Sequence, residues 1–254
     1  MNVELYNGEV TIRFTEGNHR YKYLEQNAYL EGVTTTLGTV IDKSMALVPW
    51  ALNMCVNYIL ENFSFDMSKA ELTELLQEAK KAHTRKKEAG ADTGTVVHEA
   101  LERYIKEGVA SLSDESGLKP FIAFLEWEAE VNPKYLWSEK ILYSKEHNYC
   151  GTCDIAFEIN GVKYLGDWKT SDPRKEFKNG KYTGRVKAYP GHFLQVAAYD
   201  TANYEECGEV FDAYMIVYIT KTGELHTFET TDVYSAKTNW LNALHLARWL
   251  KKNS

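Results

Sequence analysis

The sequence predicts a single α/β layered domain, and three observations carry that prediction. Helix-patterned segments lie before, between and after strand-patterned ones, the order in which helices can cover a sheet. Asn160-Gly161, set between two strand-like runs, is the strongest short-range signal for a tight hairpin. The chain has 254 residues, 44% hydrophobic and 26% charged, and shows no internal repeat, low-complexity tract or linker. That is enough apolar side chain for one sizeable core. We expect one domain over residues 1–254, with a helical N-terminal insertion at about 40–90 and the functional core at about 91–230.

The elements follow in order. Residues 9–37 read as short strands and turns ending in VTTTLG. Residues 45–62 read as a mostly apolar, buried helix with Pro49 near its first turn. Ser68 followed by Glu71 is a capping box, opening a polar helix that runs through a basic stretch. Asp92-Thr93-Gly94-Thr95 is expected to break it, with a new helix, TVVHEALERYIKEG, closed by Gly108. A further helix fits 117–131, then strands at about 137–144, 150–159 and 162–169. A long loop, a helix at about 191–203, strands at 210–219 and 225–229, and a helix at about 232–251 complete the chain. Trp240, Leu244 and Ala247 follow helical spacing and are expected to pack that helix on the sheet.

Composition excludes several classes. No apolar run approaches the ~20 residues of a membrane span, so no membrane partner is expected. MNVELYNGEV lacks the basic-then-apolar pattern of a secretory leader. Cys55, Cys150, Cys153 and Cys207 suggest no disulfide framework, which points to a reducing, cytoplasmic setting. The net charge of −7 argues against coating nucleic acid by bulk charge, but the charge is uneven. Lys80, Lys81, Arg85, Lys86 and Lys87 sit in one run without an acid. Lys169, Arg174, Lys175, Lys178, Lys181, Arg185 and Lys187 fall in a second, with only Asp172 and Glu176 against them.

The hairpin carries the most chemistry. With Ile159 and Val162 flanking the turn, Phe157 faces Tyr164, Ile155 faces Gly166 and Cys153 faces Trp168 on one apolar side. On the other side Glu158 faces Lys163, Ala156 faces Leu165, Asp154 faces Asp167 and Thr152 faces Lys169. Two aspartates across a ladder repel each other. A hard divalent cation between them would make the pairing favourable. One carboxylate kept protonated by the other is the second option, opposed by the Lys169 ammonium on the same face.

Asp154 followed by Asp167-Trp168-Lys169 resembles the D…(D/E)-x-K core of the PD-(D/E)XK nuclease superfamily. GTVVHEALE, with Gly94-Thr95 ahead of His98, and QVAAY, with Gln195 and Tyr199, resemble two further motifs of its RecB-like, phage-exonuclease branch. The resemblance spans roughly residues 94–199. It implies a restriction-endonuclease-like core, with a mixed sheet flanked by helices, and metal-dependent DNA cleavage. By position it implies His98, Asp154, Asp167 and the Trp168 carbonyl as ligands to one or two Mg²⁺ or Mn²⁺ ions, and Lys169 as the group acting on the attacking water. Gln195, Tyr199 and Thr170 would support the site or contact DNA, and Glu139 and Glu102 are further candidates on neighbouring elements. The two basic runs would track a DNA strand. Iron–sulfur members group three cysteines after the Q-x-x-x-Y helix; only Cys207 lies there, so no cluster is expected.

The reading is therefore a metal-dependent exonuclease acting on single strands or strand ends, with recombination or replication proteins as partners, in a bacterial or phage-infected cytoplasm. A structure-selective endonuclease and a non-catalytic DNA-binding module remain open alternatives. HEALE lacks the second histidine of a zinc protease, and no phosphate-binding G-x-x-x-x-G-K-[ST] occurs.

Overall fold

The computed structural model describes residues 1–254, the side chains of Glu16 and Asp92 excepted. In chain order the strands and helices are β1 (Asn2–Leu5), β2 (Val10–Thr15), β3 (Arg20–Tyr23), β4 (Ala28–Tyr29), β5 (Glu31–Gly32), α1 (Val33–Val40), α2 (Ser44–Asn62), α3 (Lys69–Lys80), α4 (Ala82–Glu107), α5 (Leu118–Val131), β6 (Lys134–Ser144), β7 (Tyr149–Ile159), β8 (Val162–Lys169), β9 (Arg174–Lys178), β10 (Lys181–Lys187), α6 (Pro190–Cys207), β11 (Ala213–Ile219), β12 (Leu225–Thr230) and α7 (Val233–Asn253).

The central sheet is mixed. Its order is β12-β11-β8-β7-β5, with β6 on the other flank of β7. β11 runs parallel to β8, because α6 carries the chain back across the sheet between them. The alternation of β8 and β11 sorts their side chains onto two faces. Leu165, Tyr214 and Ile216 pack with Val196, Tyr199, Trp240 and Leu244 of α6 and α7. Trp168, Met215 and Val217 pack with Val97, Leu101, Phe124 and Trp127 of α4 and α5. The small sheet β1–β4 closes a third core, in which Val10, Ile12 and Tyr23 meet Ile141, Tyr143 and Cys150.

Asn160 and Gly161 both take positive φ (51° and 83°), as the tight turn requires. The expected register holds from Ile159↔Val162 to Ile155↔Gly166. The capping box also forms, with Ser68 and Glu71 exchanging bonds of 2.8 and 3.3 Å. Gly108 closes α4 at φ 69°.

Four expectations are corrected. VTTTLG is helical, in α1, because Val33, Thr36 and Leu37, spaced on one helix face, are buried against the core, and the Thr36 and Thr39 hydroxyls donate to carbonyls four residues earlier. Residues 92–95 do not break the helix, since α4 runs through them to Glu107. None of the residues of α2 is buried; Met45, Leu47, Val48, Leu52, Val56 and Leu60 are exposed. That helix meets α3 and α4 rather than the sheet, and an apolar pattern does not say which face a neighbour covers. The expected long loop holds the β9–β10 hairpin, turning at Asn179-Gly180 with both φ positive.

Candidate active site

The site lies where β8 parts from β7. β8 pairs with β7 only as far as Ile155↔Gly166, and β5 takes the same flank at Tyr149 and Cys150. In the ladders, Gly151, Thr152 and Cys153 between them pair with β6 alone. Asp154 and Asp167 sit just past the last rung, so they are not the direct cross-strand pair expected. Asp154 instead accepts the Trp168 N–H at 2.9 Å.

The departure coincides with an irregularity in β7. Cys153 packs with Ala156 and Leu165 on the α6 side, while Ile155 packs on the α4 side, so strict alternation is lost at Asp154. Cys153 therefore does not share a face with Ile155 and Phe157 as expected. Thr152 pairs with Ile141, not Lys169, and its hydroxyl lies 2.8 Å from that of Tyr21. On β6, Glu139 takes φ 50° between the rungs Ser138↔Ile155 and Lys140↔Cys153. A left-handed glutamate costs on the order of 1 kcal/mol or more and is held by the β7 rungs before and after it.

Two glycines bring the helices in. A Cβ on Gly94 would lie 2.9 Å from the Thr170 hydroxyl, so a glycine lets α4 approach the end of β8. One helical turn later, His98 faces the strands. A Cβ on Gly151 would lie 2.5 Å from a ring carbon of Tyr199, so β7 leaves room for α6 in the same way. Thr170 is thus a packing contact of α4.

Two linked groups result. His98, Glu139 and Asp154 can each bring one ligand atom within 4.8 Å of the others, and His98 Nδ1 is 3.8 Å from Asp154. Beside them Asp167, fully buried, pairs with Lys169 and accepts a bond from Gln195 Nε2 at 3.1 Å. The same Gln195 amide reaches the Tyr199 hydroxyl at 3.1 Å, and Lys169 Nζ is 3.5 Å from Gln195 Oε1. The i,i+4 spacing of Gln195 and Tyr199 on α6 is what lets one amide hold both.

Burial raises all three acids: Glu139 to about 8, Asp167 to about 7, and Asp154 in the same direction. Asp154 and Glu102 push Glu139 further up by like charge. Burial pulls Lys169 down, but Asp167 and Asp154 outweigh it and its pKa rises. Burial and then Lys169 hold His98 down at about 4, which leaves its ring neutral and able to ligate. Two buried carboxylates and the partly buried Glu139 thus face one partly buried ammonium. Carboxylate oxygens with one neutral imidazole form a donor set that fits Mg²⁺ or Mn²⁺.

The candidates divide accordingly. His98, Asp154, Asp167, Trp168, Lys169, Gln195 and Tyr199 converge, and Glu139 joins them more centrally than its sequence position suggested. The main chain of Trp168 faces the His98 ring and favours its protonated form. Glu102 is near enough to act on Glu139 but pairs with Lys106 at 2.6 Å. In the first basic run Lys81 and Arg85 are engaged by Glu78 at 2.8 and 2.9 Å, and Lys80 lies 3.5 Å from Gln77. That run is partly neutralised by Glu78 of α3, while Lys86 and Lys87 on α4 are exposed. Arg174, Lys175, Lys178, Lys181 and Arg185 lie on the exposed β9–β10 hairpin. Asn179-Gly180 could have announced that hairpin, as Asn160-Gly161 did the other.

No protein-family model and no curated protein matches the chain. Among solved structures, one described as the crystal structure of SSO0001 is similar at 15% identity and a TM-score of 0.26, covering 61% of this chain and 74% of that one. A likeness at that level carries no argument about fold or function.

Proposed function

We propose that the chain is a divalent-metal-dependent DNA exonuclease of the PD-(D/E)XK superfamily, RecB-like branch, acting on single strands or strand ends. The observation that carries this reading is the gathering of His98, Glu139 and Asp154 beside the Asp167–Lys169 pair, where the sheet opens. Such a buried excess of negative charge is costly without a cation. On this reading His98, Glu139, Asp154 and Asp167 hold Mg²⁺ or Mn²⁺, which when bound relieves phosphoryl charge and acidifies its water.

The chain's own groups have separable tasks. Lys169 presents a compact ammonium to a phosphoryl oxygen or to the attacking water. Asp167 and Gln195 fix its position, and Tyr199 fixes Gln195. Gln195 and Tyr199 act as supports, since their polar atoms are already engaged within the site. The β9–β10 hairpin leads a strand toward Lys169, with salt-dependent attraction to its phosphates.

Linear and circular single strands, offered with Mn²⁺, test the reading. We expect the linear form to be degraded and the circle to survive. Cleavage of the circle would replace the exonuclease by an endonuclease of the same chemistry. Cleavage of neither would leave a binding module and overturn the enzyme.

A further inference from the structure

The β9–β10 ribbon makes no contribution to the acid cluster, yet both its feet stand at the site. β9 begins at Arg174, shortly after Lys169. β10 ends at Lys187, and beyond it the Tyr189 N–H donates to the Tyr218 hydroxyl at 3.1 Å. Tyr218 is the β11 neighbour of Lys169 in the sheet. Between these anchors the ribbon's strands pair only with each other. At ~3.3 Å per residue, β9 carries the chain roughly 15 Å outward.

Its surface has two characters. Arg174, Lys175, Lys178, Lys181, Arg185 and Lys187 stand against the single acid Glu176, which pairs with Lys187. Next to the turn, Phe177 and Tyr182 face each other across the strands with ring centroids 5.9 Å apart. They are 61% and 47% exposed, and neither belongs to any of the hydrophobic cores. Lys175 places its ammonium 5.6 Å from the Tyr182 ring on the same face. Two rings held in water at the end of a ribbon gain little for the fold. Aromatic faces set among cations are what an unpaired strand needs: bases stack on the rings while phosphates meet the ammonium groups.

We propose that Phe177 and Tyr182 form a base-stacking platform that receives a single nucleic-acid strand at the rim of the site. A duplex offers no free base faces, so the platform selects unpaired strand. The inference rests on the nuclease reading for its direction but not for its test.

The test measures binding without cleavage. Fluorescein-labelled oligo-dT and a blunt duplex are titrated with the protein in chelator, and anisotropy is followed at several salt concentrations. The variants are F177A/Y182A, F177L/Y182L and F177W/Y182W, each checked for a wild-type melt. The alanine and leucine pairs should bind oligo-dT on the order of tenfold or more weakly, with an unchanged salt slope and unchanged duplex binding. The tryptophan pair should bind as wild type, with its fluorescence quenched by the strand. Wild-type affinity in the leucine pair, or an equal loss on duplex, would overturn the platform. If wild type cleaves with Mn²⁺ while the alanine pair binds normally, the platform fails alone. A wild type that neither binds nor cleaves takes both readings down.

Discussion

Raising the pH of chelator-treated protein from 6.5 to 8 should lower its melting temperature. The perturbation acts on Glu139, which burial beside Asp154 lifts from 4.5 to about 8. His98 and His192 are held low, at about 4 and about 3, so below pH 6.5 they add stability as pH rises and oppose the acids. At their ordinary value of 6.5 the unfolded imidazoles are still half protonated, so each offsets roughly 0.4 kcal/mol of the fall at the low end of the window before dropping out. The folded form then keeps a proton on Glu139 that the unfolded chain has released, and stability falls with pH. Over a pH and a half, one proton at ~1.4 kcal/mol per pH unit amounts to about 2 kcal/mol. Asp167, lifted to about 7, adds a smaller part at the low end of the window. For a chain of this size the loss corresponds to roughly 4–8 °C. Scanning calorimetry in chelator, repeated with saturating Mn²⁺, reads it directly. Mn²⁺ should remove the drop, and Glu139→Gln should flatten it without metal. A metal-free melting temperature that is level or rises from 6.5 to 8 would refute the charge argument, as would a Glu139→Gln protein with the wild-type drop.

Other outcomes follow from single contacts. Gly151→Ala places a Cβ against the Tyr199 ring, and overpacking of this kind should cost about 1–3 kcal/mol in a guanidinium melt; a wild-type midpoint contradicts the contact. Ser68→Ala removes the cap of α3 and should cost about 1 kcal/mol, with an unchanged denaturant slope; no loss would mean the cap is idle. Lys169→Ala should slow cleavage by on the order of a hundredfold or more while single-strand binding in chelator stays within a few-fold. Equal losses in both would make Lys169 a binding contact only.

Much of the core was legible because its signals are local. Asn160-Gly161 set a register that the structure keeps for five rungs, from Ile159↔Val162 to Ile155↔Gly166. Ser68 with Glu71 and the terminal Gly108 marked helix ends by groups that act within a few residues. The rung that mattered most was the one that local pattern could not give. Alternation fails at Asp154 because β8 leaves β7 there and Glu139 turns left-handed opposite, and both are properties of the assembled sheet. Gly94 looked like a helix breaker because its reason lies across the fold, at Thr170. The exposure of α2 was hidden for the same reason, since its neighbours are not encoded in its own pattern. Glu139 carries no motif signal because it lies on β6, outside the motif strands, and only the ladder brings it beside Asp154.

Digestion of 5′- and 3′-end-labelled single and double strands tests the central claim most directly, with wild type and Asp154→Asn compared in Mn²⁺ and in chelator. The account predicts that wild type releases label from single strands in Mn²⁺ alone and that Asp154→Asn, folded as judged by its melt, releases none. Label retained by wild type with every divalent ion, or released as fast by Asp154→Asn, would contradict it.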